Sequence, residues 1–92
     1  MAKPEFHVSH DAVAKRLKRA HGHLHNVITM MSEDRACLDV AQQLHAVERA
    51  IAAAKKQLIH DHIDHCLDHA LNKSATSSRQ AVSEFKAITK YF

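Results

Sequence analysis

One long segment without a helix-breaking residue constrains the fold of this 92-residue chain more than any other feature of its sequence. The chain holds one glycine and one proline, and neither falls between residues 35 and 71. Apolar residues recur through this segment in alternating steps of three and four: Cys37, Val40, Leu44, Val47, Ile51, Ala54 and Leu58. This spacing predicts a single helix over residues 35–71, about 54 Å long at 1.5 Å per residue.

Two shorter helices are predicted on either side of this segment. A stripe with the same spacing predicts a helix over about residues 9–32; its members are Val13, Leu17, Ala20, Leu24, Val27 and Met31. A third apolar face predicts a helix over about residues 78–91, and residues 1–8 are expected to form a flexible arm. We therefore expect an all-α fold, a three-helix protomer with a long central helix, in a single domain over residues 1–92.

The only glycine, Gly22, falls inside the first predicted helix. Glycine costs about 1 kcal/mol relative to alanine in a helix interior. Close packing against another element is therefore the expected reason for its presence.

The long helix is expected to pair with a second copy of itself, because a chain this short cannot cover it alone. Cys37 and Cys66 are 29 residues apart, roughly 43 Å along one helix, so they cannot meet within a chain. Two antiparallel copies would bring Cys37 of one chain beside residues 62–66 of the other. The crossing would fall near residues 50–51, in the segment 50–54, whose small side chains allow close approach. The spacing thus predicts an antiparallel homodimer with a two-fold axis.

Cysteine and histidine residues provide the donors for a metal site. The chain has ten histidines and two cysteines, and His62 and Cys66 lie four residues apart, on one face of a helix. A tight site needs a third ligand, and the only other thiol is that of Cys37. We predict two sites per dimer, each with Cys37 from one subunit and His62 and Cys66 from its partner. His65 is expected beside the ligands rather than on the metal.

Other interpretations of these residues stay open at this point. A cysteine at the start of an apolar stripe is commonly a small buried hydrophobe, and this applies to Cys37 taken alone. His21, His23 and His25 form a cluster in the first helix, where His21 and His25 share a face. That cluster could hold a second metal ion loosely.

Four segments of the chain resemble the CsoR/RcnR family of bacterial metal- and formaldehyde-responsive transcriptional repressors. They are LKRAHG at residues 17–22, EDRACLD at 33–39, QQLHAV at 42–47 and HIDHC at 62–66. The resemblance runs from about residue 9 to the C-terminus. It implies a three-helix protomer that dimerises through its long helix and pairs again into a dimer of dimers, a homotetramer.

The resemblance also implies roles for individual residues. Cys37, His62 and Cys66 match the effector site of the copper-sensing members, and Glu84 matches a supporting residue of the third helix. The nickel and cobalt branch has histidine at the position of Cys66 and an added ligand near the N-terminus, which His7 or His10 could supply. Two thiolates and one imidazole favour a soft ion, so Cu(I) is the expected effector, with Ni(II), Co(II) or Zn(II) as alternatives.

A basic surface on the first helix is the expected contact with double-stranded operator DNA. Its members are Lys15, Arg16, Lys18 and Arg19, joined by Arg49 of the long helix. Repetition of this surface in a tetramer would sum many phosphate contacts. We expect the metal-free protein to bind operator DNA and repress, and metal binding to release it and derepress metal efflux or detoxification genes.

Two other function classes stay open. The chain could sense formaldehyde or thiol stress through covalent modification of Cys37, or act as a histidine-rich metal buffer without DNA. An enzyme is not expected, since the sequence has no catalytic constellation. Without a secretory signal or a membrane-spanning segment, the expected location is the cytoplasm, with no membrane partner.

Overall fold

A computed structural model of the chain describes residues 8–72 and 75–92, apart from the side chains of residues 8, 9, 66, 68–72 and 75–78. The elements are α1 (Val8–Ser32), α2 (Cys37–Asn72), α3 (Ala75–Ile88) and a short 3-10 helix (Thr89–Tyr91). No strand occurs in these ranges, and the predicted all-α, three-helix protomer is confirmed. None of the described helices has an apolar stretch long enough to cross a membrane.

A tight turn ends α1 and fixes where α2 begins. Asp34 adopts a left-handed backbone with φ of 56°. The amide of Arg35 donates to the carbonyl of Met30 at 3.1 Å, and that of Asp34 donates to Met31 at 3.3 Å. This pattern is a Schellman-type helix end. Because the turn uses the residues after Ser32, α2 begins at Cys37, two residues after the predicted start.

The chain divides into two compact units, Met1–Lys55 and Lys56–Phe92, and α2 contributes to both. In the first unit, α1 contacts the beginning of α2: a ring nitrogen of His23 lies 2.7 Å from Oε1 of Gln43. The buried residues of this unit follow one another at intervals of seven within each helix: Val13, Ala20 and Val27 in α1, and Val47 and Ala54 in α2. This interval is that of a coiled-coil seam.

The first unit leaves the alternate positions of both apolar stripes uncovered. Leu44 and Ile51 of α2 are each 44% exposed, and Leu17 of α1 is 43% exposed. Cys37 is also exposed and lies seven residues before Leu44. We call Cys37, Leu44 and Ile51 the α2 outer strip. Half of each predicted stripe is thus packed within the chain, and the other half faces outward.

The second unit contains the C-terminal half of α2, with α3 and the 3-10 helix. Its described core contains Ile59 and Ala81, which are 2% and 5% exposed. The ring of Phe92 meets that of His60 edge to face, with centroids 5.9 Å apart. The aromatic contact links the C-terminal residue to the histidine-rich part of α2.

Gly22 does not pack against a neighbour in the described part of the chain. A Cβ atom built on it would meet nothing within 4 Å. The prediction of close packing is therefore wrong for the single chain, and the glycine faces open space on α1.

Candidate metal centre and nucleic-acid surface

Cys37 is the first residue of α2, and its side chain is an exposed, free thiol. The turn at Asp34 ends α1 just before it, so α1 does not extend over the thiol. The alternative in which Cys37 is a buried hydrophobe of its own chain is therefore wrong. An exposed thiol at a helix start is accessible to a metal ion or to a second chain.

The other predicted ligands belong to the C-terminal half of α2, in the second unit. His62 and His65 are both half-buried there. Cys66 follows His62 by one helical turn, and its side chain lies outside the described residues, as does the whole of His7. Glu84 is exposed on α3, and His10 is exposed in the first turn of α1.

The described side chains of one chain do not assemble the predicted centre. No group of three His, Cys, Asp or Glu side chains within metal-binding reach occurs among them. Cys37 and His62 belong to different units, 25 residues apart on one helix.

The predicted DNA-contacting residues are exposed. On α1 they are Lys15, Arg16, Lys18 and Arg19, and on α2 the residue is Arg49. Nζ of Lys15 lies 3.5 Å from Oδ2 of Asp11, but both side chains are more than two-thirds exposed. A pair this exposed is worth little and can open to admit a phosphate.

Two contacts of histidine were not predicted from the sequence. His23 lies between His21 and His25 in the sequence, but its hydrogen bond to Gln43 makes it a link between α1 and α2. His60 packs on Phe92.

Comparison with known proteins identifies the family. Residues 9–91 match the profile of the metal-sensitive transcriptional repressors, and the chain belongs to that family. This confirms the resemblance to the CsoR/RcnR proteins. The class is that of metal-responsive, DNA-binding regulators and not of enzymes.

Individual relatives are named as copper sensors. The chain is 33% identical to the copper-sensing transcriptional repressor CsoR of Bacillus subtilis over 82 residues, covering 89% of this chain and 79% of the relative. It is 31% identical to the copper-sensing repressor RicR of Mycobacterium tuberculosis over 77 residues, 84% of this chain and 80% of the relative. With CsoR of Mycobacterium ulcerans the identity is 38% over 60 residues, 65% and 51% of the two chains. No solved structure gives a significant match.

Proposed function

We propose that this chain is a cytoplasmic Cu(I)-responsive repressor that binds operator DNA without metal and releases it with metal. Release would derepress genes for metal efflux or detoxification. The observation that carries this proposal is the exposed thiol of Cys37 at one end of an uncovered apolar strip. The names of the relatives support copper as the effector.

The α2 outer strip supports an antiparallel homodimer. Exposed Leu44 and Ile51 gain about 25 cal/mol for each Å² of apolar surface that a second copy covers. An antiparallel crossing at Ile51 sets Leu44 opposite the partner subunit's Leu58, so apolar side chains meet along the interface. The occupant of the strip is thus a second copy of α2.

The same crossing brings the proposed ligands together. Cys37 falls opposite the partner's segment between His62 and Cys66, whereas within one α2 helix Cys37 and His62 are roughly 37 Å apart. Two thiolates and one imidazole satisfy a soft, three-coordinate ion such as Cu(I). Glu84 and His65 are proposed to hold the ligands by hydrogen bonding rather than to bind the ion.

The DNA surface is proposed to be the exposed basic patch of α1. Lys15 and Lys18 lie on the face opposite the buried residues of that helix, and Arg19 lies on its flank. Arg16 and Arg49 are exposed and are proposed as further contacts. In a dimer of dimers this patch occurs four times. Contacts of this kind bind the phosphate backbone and make affinity strongly dependent on salt.

The turn between α1 and α2 offers a route from effector site to DNA surface. Cys37 follows immediately on the turn at Asp34, and the carbonyls of Met30 and Met31 are bonded into that turn. When Cys37 is tied to the partner subunit, the turn and the C-terminal end of α1 are held with it. This would alter how the basic patches of the assembly face DNA. Coupling between two such sites is typically about 1–3 kcal/mol.

The test is an anaerobic Cu(I) titration of the protein bound to a DNA fragment selected with the metal-free form. We expect the metal to release the wild type and leave Cys37→Ala bound. His45→Ala is the matched control, since His45 is an exposed α2 histidine near Glu48. Equal release of Cys37→Ala and wild type would contradict the proposal.

The same titration separates the alternative effectors. Strong visible bands with Ni(II) or Co(II), lost in His7→Ala, would replace copper by the nickel or cobalt alternative. Release by formaldehyde without any response to metal would identify a covalent sensor at Cys37.

A further inference from the structure

Two histidines of α1 take no part in the proposed centre and share one face of their helix. His21 and His25 are both exposed and lie one turn apart. The helix is unbroken from Val8 to Ser32, so the backbone fixes their spacing. Side chains four residues apart on a helix are neighbours, and two histidines with this spacing can bind one metal ion.

His23 does not belong to this pair, although it lies between its members in the sequence. It is half-buried, and its hydrogen bond to Gln43 turns it toward α2. No third His, Cys, Asp or Glu among the described side chains completes a cluster with His21 and His25. The protein therefore offers two nitrogen ligands at this place, and water must supply the rest.

We propose that His21 and His25 form a second metal site, which binds a divalent ion that prefers imidazole, such as Ni(II), Zn(II) or Cu(II). The site lacks thiolates and so does not suit Cu(I). With two protein ligands it binds more weakly than the three-ligand centre and fills when metal is in excess. It goes beyond the proposed function and uses none of its ligands.

The experiment is a Ni(II) titration by calorimetry in a protein that carries Cys37→Ser and Cys66→Ser. The comparison protein carries in addition His25→Thr and Thr29→His. This exchange keeps the number of histidines but moves the second imidazole one turn further along α1, eight residues from His21 and six from His23. Both positions are exposed, so the fold is expected to be unaffected, which circular dichroism checks.

We expect the exchange to remove about one weak Ni(II) equivalent per chain and to reduce the rise in Tm that Ni(II) causes, since a ligand that binds only the folded helix stabilises it. Equal stoichiometry and an equal rise in Tm in the two proteins would overturn the site. If the thiol substitutions fail to fold, the exchange is made in the otherwise unaltered chain and the same difference in Ni(II) binding is expected.

Failure of this site and failure of the proposed function give different results. In the chain with both cysteines, the exchange should leave Cu(I)-triggered DNA release unchanged. Loss of Ni(II) binding without any effect of Cys37→Ala on DNA release would retain the second site and refute the repressor mechanism.

Discussion

At the scale of single residues, Asp34 determines where the thiol of Cys37, the proposed metal ligand, lies. Its left-handed backbone ends α1 and leaves Cys37 exposed as the first residue of α2. The acidic turn was visible in the sequence, but its handedness was not, because an aspartate adopts the left-handed region only when the surrounding hydrogen bonds require it. The predicted start of α2 was therefore two residues too early. The exposure of Cys37 could not be predicted from the sequence and became visible only in the structure.

Substitutions at Asp34 test this turn. Asp34→Ile is expected to lower the free energy of unfolding by about 1–2 kcal/mol, since a β-branched side chain is strained at positive φ. Asp34→Gly should be tolerated, because glycine adopts this conformation freely. Urea unfolding at fixed protein concentration measures both. Equal destabilisation by the two variants would show that the carboxylate, and not the backbone conformation, stabilises the turn.

At the scale of elements, the apolar periodicity predicted the three helices. It did not predict which residues of each apolar stripe pack within the chain and which stay exposed. Val47 is buried within the chain, whereas Leu44, three residues away, is half uncovered. From the spacing alone, both positions are equally expected to be buried, because the spacing does not show which helix covers each of them. The side of α2 that packs within the chain carries Val47 and Ala54, and the hydrogen bond between His23 and Gln43 also joins α1 to α2.

The α2 outer strip predicts the effect of a charge placed in it. Ile51→Glu should convert the oligomer to monomer, since a carboxylate near the two-fold axis would face its own copy across an apolar interface. Light scattering over a range of concentrations measures the mass. Leu38→Glu is the matched control: Leu38 is 68% exposed and points away from the strip. An oligomer that survives Ile51→Glu would exclude the proposed dimer.

At the scale of the whole molecule, the sequence and the family together define the class of protein, while the proposed ligand set would depend on assembly. The motifs in residues 17–22, 33–39, 42–47 and 62–66 together predicted a repressor of the CsoR/RcnR type, and the family match confirms it. The sequence predicts which residues bind the metal but does not show that they come together. The proposed centre takes Cys37 from one chain and His62 from its partner, so it would exist only in an assembled dimer.

Repetition of the basic patch predicts how DNA affinity responds to salt. Each phosphate contact contributes about 0.9 to the slope of log affinity against log salt. Removal of one contact per subunit in a tetramer would therefore remove up to about four contacts. Lys18→Ala should weaken binding to selected and unrelated DNA alike and lower the slope by several units, because phosphate contacts do not read sequence. Lys90→Ala, an exposed lysine of the 3-10 helix, should leave the slope unchanged. If both variants lower it equally, net charge and not the α1 surface governs DNA binding.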